Sequence, residues 1–101
     1  MELDHCTWVE VEAHLKKSTG IMIPIGSTEQ HGPNGLMGTD AICARVTAAA
    51  AAEKVGALVA PTIPVGIAQH HMAFSGTITL KPSTLVLMIK EWVMSLAHHG
   101  F

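Results

Sequence analysis

A chain of 101 residues that is 49% apolar and only 14% charged is greasy for its size, because a small domain has a large surface to keep in water; either much of its surface is covered by other chains or it is part of a larger domain. The formal net charge of −2 and a pI near 6.3 exclude the basic face of a nucleic-acid binder. No apolar run reaches the roughly 18 residues of a membrane span, and the acidic start Met1–His5 lacks the basic region of a signal peptide, so neither nucleic acid nor membrane is expected as a partner and a cytoplasmic location is expected.

Thr7-Trp-Val-Glu10 has the form of a capping box and predicts a helix from about Trp8 to Lys17, with Val9, Ala13 and Leu15 partly inward and Ser18-Thr19-Gly20 ending it. The apolar run Ile21–Ile25 predicts a strand buried on both faces, with Pro24, which has no N–H to donate, near its end. The chain then breaks at Gly26 into a loop that carries Glu29, His31 and Asp40 among four glycines (26, 32, 35, 38) and Pro33. Thr39 or Asp40 can cap a second helix, about Ala41 to Val55. Its five alanines, Ala48–Ala52, favour helix and leave a slim side that can lie close to a sheet. Gly56 is the expected stop, and Ala57–Ala60 a short second strand halted by Pro61. Strand, helix, strand makes a parallel unit with a right-handed crossover. Pro61–Ser75 reads as loop and includes Gln69-His70-His71. Gly76–Leu80 alternates and is β-branched, which predicts a third strand or extended segment. Pro82 and Ser83 open a third helix, about Ser83 to His98, with Leu85, Met88, Ile89, Trp92, Val93 and Leu96 as a core-facing stripe. His98 and His99 complement its carboxyl end, Gly100 closes it, and Phe101 should begin another strand. Trp8 and Trp92 are expected in the core or at an interface. Cys6 and Cys43 have no metal-like spacing and are expected as small buried hydrophobes. The fold class is therefore α/β, with residues 1–101 as the first part of a single domain.

In extended backbone, residues two apart project to the same side, which aims Glu29 and His31 at one place. Asp40 would sit at the positive end of a helix. Two carboxylates and an imidazole form a donor set for divalent metal, and ligands of open α/β sheets bind beyond the carboxyl ends of strands, where this loop would lie. A carboxylate can bridge two ions, and paired ions are a recurrent hydrolytic device. The same residues also fit a plainer assignment, with Asp40 as a helix cap and Glu29 and His31 as solvated loop residues. Adjacent side chains diverge, so at most one of His70 and His71 can serve such a site. The glycines match neither a dinucleotide fingerprint nor a P-loop, and no serine or cysteine sits in a nucleophile elbow.

Pro24-Ile-Gly-Ser-Thr-Glu-Gln-His-Gly-Pro33, followed by Gly38-Thr-Asp40, resembles the signature of the creatininase (creatinine amidohydrolase) family. His71-Met-Ala-Phe-Ser-Gly-Thr-Ile-Thr-Leu80 resembles that family's H-x-x-F-P-G-T segment, and Leu96–Phe101 the helix end before its third core strand. The resemblance runs in order over nearly the whole chain. It implies a three-layer α/β/α sandwich with a mostly parallel sheet, a centre of two zinc or manganese ions, and hydrolysis of C–N bonds in amides, often cyclic ones such as creatinine. It implies that Glu29 ligates one ion, His31 the other, and Asp40 both. It places His71 near the substrate pocket or at a subunit contact, and homohexamers are common in the family. Asn34 and Gly35-Leu36 replace the usual histidine and Leu-Pro, which bears on the substrate. Ser75 stands where proline is usual, and the later N-G-H-G-G-N-like ligand segment lies outside these residues. The expectation is thus an N-terminal portion of a metal-dependent amidohydrolase, inactive as an isolated piece. A different class, a non-catalytic oligomerisation or binding module that keeps the first half of the fold, is suggested by the apolar composition and an unfinished sheet edge.

Overall fold

Thr7 opens the first helix as its sequence requires. Its N–H donates to the Glu10 carboxylate at 2.7 Å, and its hydroxyl oxygen accepts the Glu10 N–H at 3.4 Å, the reciprocal pair of a capping box. In the computed structural model, which describes residues 1–101, helix α1 runs Trp8–Leu15. Val11, His14 and Leu15 form its inner stripe at i, i+3, i+4 spacing. Val9 and Ala13, expected inward, lie on the opposite side and are exposed. Trp8 is 75% exposed and is no core residue of this chain.

Two strands lie side by side in parallel, β1 (Ile21–Met22) and β2 (Leu58–Val59), with Ile21 opposite Leu58 and Met22 opposite Val59. They are shorter than the apolar runs suggest. Pro24 and Pro61 interrupt both sides of the ladder because neither can donate. Pairing resumes at a single parallel bridge, Ile25 with Ile63, where Gly26 N–H donates to the Ile63 carbonyl and Ile63 N–H to the Pro24 carbonyl, each at 2.9 Å. The far side of β2 is taken by the chain's own start. Val59 N–H donates to the Met1 carbonyl, Glu2 bridges Val59 in parallel, and Arg45 clasps the Glu2 carboxylate at 2.8 and 2.9 Å. No sequence signal marks this third extended segment. Gly76, at φ 91°, belongs to the preceding turn, and residues 77–80 form an extended segment without a ladder of their own: Ile78 pairs with Thr28 in an antiparallel bridge, while Leu80 N–H donates to the Gly66 carbonyl. Their partners belong to two different loops, so no regular strand develops.

Helix α2 (Thr39–Val55) connects the strands and packs on both. The alanine run does what its small side chains allow: Ala52 is fully buried, and Ala48 packs with Met22 against Ala57 and Val59. Gly56, left-handed at φ 68°, ends the helix as expected. Helix α3 (Pro82–His98) begins with Pro82 in its first turn. Leu85, Met88, Ile89, Trp92 and Leu96 are half-buried along one stripe, but Val93 is 47% exposed, and no α3 residue is fully buried. Phe101 does not begin a strand. Its N–H turns back to the Leu96 carbonyl at 3.2 Å, with Gly100 at φ 101°, as in a glycine-terminated helix end.

Only 11 of the 101 residues are buried, and the accessible surface is 6586 Å², against about 5,500 Å² for a compact monomer of this mass. The radius of gyration is 15.3 Å, against about 13 Å. The apolar composition is thus carried on faces that this chain does not cover itself, among them Val86, Leu87, Val93 and Met94 of α3. No helix is long and apolar enough to cross a membrane.

Candidate metal centre

The loop after β1 is folded by two close approaches of backbone. At Gly26 a Cβ would lie 2.4 Å from both Cα and N of Ala41, so only glycine lets the first turn of α2 rest on the end of this segment. At Gly35 a Cβ would lie 2.1 Å from the His31 carbonyl oxygen, so the loop can fold back over His31. Glu29 N–H donates to the Met37 carbonyl at 3.0 Å and closes the loop. The buried Ser27 hydroxyl donates to Glu29 Oε2 at 3.2 Å and orients the carboxylate.

Asp40 is not the helix cap. Gly38 holds that position, and the Thr39 hydroxyl donates back to the Leu36 carbonyl at 2.7 Å. Starting the helix earlier places Asp40 in its first turn with its carboxylate turned toward His31. His31 Nδ1 lies 2.9 Å from the Glu29 carbonyl oxygen. A carbonyl can only accept, so Nδ1 carries the proton in the neutral ring. Nε2 then presents its lone pair to Asp40 Oδ1 at 3.3 Å. Two acceptors facing each other need a proton or a cation between them. The Glu29 carbonyl, followed by the Asp40 carboxylate, accordingly raises the His31 pKa above its ordinary value.

One ligand atom from each of Glu29, His31 and Asp40 lies within 4.8 Å of the others. Metal–ligand bonds of about 2.0–2.2 Å set two ligands of one ion at most about 4.4 Å apart, so donors within 4.8 Å of one another lie close to the separation that a shared ion needs. The carbonyl on Nδ1 is also the partner that metal-ligating histidines commonly have on their other nitrogen. The residues present fit a divalent metal.

His71 stands apart from that trio but shares Glu29 with another. Glu29, His70 and His71 also bring ligand atoms within 4.8 Å of one another. Residues 69–71, expected as plain loop, form a 3-10 turn that seats His71 between His70 and Phe74, at ring-centre distances of 4.1 and 6.3 Å. Glu29, Asp40 and the exposed His70 line an open hollow of about 520 Å³ with Ile25, Leu85 and Cys43. Cys43 is exposed here and Cys6 half-buried, so neither is the buried hydrophobe expected of it. A third acidic and histidine cluster, Glu2, Asp4 and His5, has its principal carboxylate already forked to Arg45. Sequence reasoning passed over Ser27 and Gln30. Both flank Glu29, but their roles depend on where their side chains find partners.

The family model described as Creatininase, creatinine amidohydrolase, matches residues 4–101. A creatinine amidohydrolase of Pseudomonas putida is 32% identical over 100 residues, covering 93% of this chain and 38% of its own length. A mycofactocin precursor peptide peptidase of Mycobacterium tuberculosis (strain H37Rv) is 38% identical over 90 residues, covering 79% of this chain and 36% of its own length. A solved creatininase of Zn–Zn type superposes with a TM-score of 0.92 at 31% identity, over 98% of this chain and 41% of that one. The chain therefore spans about two fifths of the length of the relatives it matches.

Proposed function

The chain belongs to the creatininase family, and on that premise we propose that Glu29, His31 and Asp40 are ligands for zinc or manganese in an amidohydrolase that cleaves C–N bonds of amides, cyclic ones such as creatinine included. When bound, such ions supply a Lewis acid for the amide carbonyl and an activated water. The chain's own residues hold and aim the donors. Ser27 fixes the Glu29 carboxylate, the Glu29 carbonyl commits His31 to present Nε2, and the first turn of α2 carries Asp40 to face it. The observation that carries this reading is the convergence of the three donors within 4.8 Å, with the imidazole lone pair aimed at the carboxylate. Three side chains do not saturate two ions, so we propose that these 101 residues alone do not turn over substrate. Zinc stoichiometry and creatinine hydrolysis, measured on the chain and on His31→Ala, test both parts. Zinc binding unchanged in His31→Ala would remove the site. Two tightly held ions with turnover would remove the inactivity.

A second reading, an oligomerisation module, is favoured by one observation. Ile23 makes no backbone hydrogen bond, so the outer edge of β1 is open, and apolar residues of α3 such as Val86 and Leu87 are left uncovered as well. It predicts a discrete homo-oligomer in sedimentation that persists when chelator removes every metal. The amidohydrolase reading makes no such demand.

A further inference from the structure

We propose that Gln30 fixes His71 as a hydrogen-bond donor to a substrate carbonyl oxygen and keeps it out of the metal-ligand set, although His71 lies in a cluster with Glu29 and His70 that has metal-like spacing. The inference rests on the amidohydrolase reading for the identity of the substrate, but its structural part stands on the hydrogen bonds around Gln30.

Gly32 N–H donates to Gln30 Oε1 at 2.8 Å. A backbone N–H cannot accept, so this contact settles which end of the amide is oxygen. The amide nitrogen, Nε2, is then the end that meets His71 Nδ1 at 3.0 Å. An NH₂ group can only donate, so Nδ1 must hold a lone pair and the neutral ring carries its proton on Nε2. A protonated ring nitrogen cannot ligate a metal, and the other nitrogen is engaged by Gln30. A tilted contact with the His70 ring and an edge-on contact with Phe74 hold the ring in place. His71 Nε2–H has no partner within the chain, and a ring nitrogen of His71 lies within 4.8 Å of the Glu29 carboxylate. It is a free donor beside Glu29, whose carboxylate lines the metal hollow, and the chemistry it serves is an acceptor oxygen such as an amide carbonyl.

His31 shows the opposite wiring on the same loop. There a backbone carbonyl takes the Nδ1 proton and frees Nε2 for a cation. Two histidines with the same ring thus receive opposite roles from the group on Nδ1: a carbonyl makes a ligand, a carboxamide NH₂ makes a donor.

Long-range proton–nitrogen correlation spectra of the histidine rings test this on the 101-residue chain without any turnover. The expected result is the Nε2–H tautomer at His71 and the Nδ1–H tautomer at His31 in the neutral rings. Zinc titration should then perturb His31 and leave the His71 ring nitrogens in place, and acetamide, the smallest neutral amide, should shift His71 Nε2–H. Gln30→Glu replaces the donor by an acceptor while keeping an oxygen for Gly32 N–H. It should invert the His71 tautomer, recruit His71 as a ligand, and tighten zinc binding roughly tenfold or more. A wild-type His71 with its proton on Nδ1, direct zinc ligation by wild-type His71, or no response of its Nε2–H to acetamide overturns the proposal. A His31 that ignores zinc, with His71 still in the Nε2–H form, would instead count against the metal reading alone.

Discussion

A methyl group at residue 26 probes how the site is assembled. Built on the Gly26 backbone, a Cβ lies 2.4 Å from Ala41 Cα and N and 2.8 Å from the Asp40 carbonyl carbon, where ordinary contact begins at 3.4 Å. The shortfall is about 1 Å, and it falls on backbone atoms that have no rotamer to escape into. The first turn of α2 must therefore move outward, or the segment after β1 must. Overpacking of this kind costs about 1–3 kcal/mol. The displacement matters more to the site than to the fold, because metal–ligand distances tolerate only about 0.2 Å and Asp40 sits on the turn that moves. Gly26→Ala is expected to unfold at lower urea and to bind zinc at least about tenfold more weakly. Gly38→Ala is the control, since its Cβ would meet nothing nearer than Ile42 Cδ1 at 3.7 Å. Calorimetric zinc titration and urea denaturation on the same preparations are the assays. Wild-type zinc affinity and midpoint in Gly26→Ala would mean that this close approach does not place Asp40.

The metal-free chain should be pH-sensitive through His31. Its folded pKa is raised above the ordinary 6.5, first by the Glu29 carbonyl and then by Asp40, so the stabilisation is full below the unfolded value and is lost as pH rises through the raised one. Asp40→Asn removes only the smaller causes and should bring the His31 titration, followed by the ring proton in NMR, part of the way back; a wild-type His31 titrating at or below the ordinary value contradicts this. Zinc competes with the same proton, so its affinity should climb across the same window. Leu58→Ala empties a fully buried position and should cost about 2–5 kcal/mol, read as a fall in the urea midpoint. Val86→Ala, at a position 67% exposed, should stay within about 0.5 kcal/mol of wild type; equal effects of the two would mean that the small core around β2 does not hold the fold.

Much of the order of elements could be read from the residues. Thr7 and Glu10 started α1, the alanine run formed α2 up to Gly56, and Pro82 opened α3, because capping, propensity and chain stops act over a few residues and need no partner. Glu29 and His31 could be paired for the same reason, since alternation in extended backbone is local. The errors lie where a residue's state depends on what meets it across space. Val9 and Ala13 face outward because nothing in this chain covers that side of α1. Residues 77–80 are extended, one of the two forms expected of them, and which of the two could not be read because their hydrogen bonds go to Thr28 and Gly66, far away in sequence.

Glu29, His31 and Asp40 could be named as candidate donors from composition and spacing, because which groups are able to hold a cation is a property of the side chains themselves. What they are aimed at was decided in three dimensions. The fit of Gly26 against Ala41, the early start of α2 that turns Asp40 from cap to neighbour of His31, and the opposite groups on Nδ1 of His31 and His71 all join residues brought together by the packing of loops and helix ends. A hydrogen bond depends on the position of both partners, and a linear sequence states only one of them at a time.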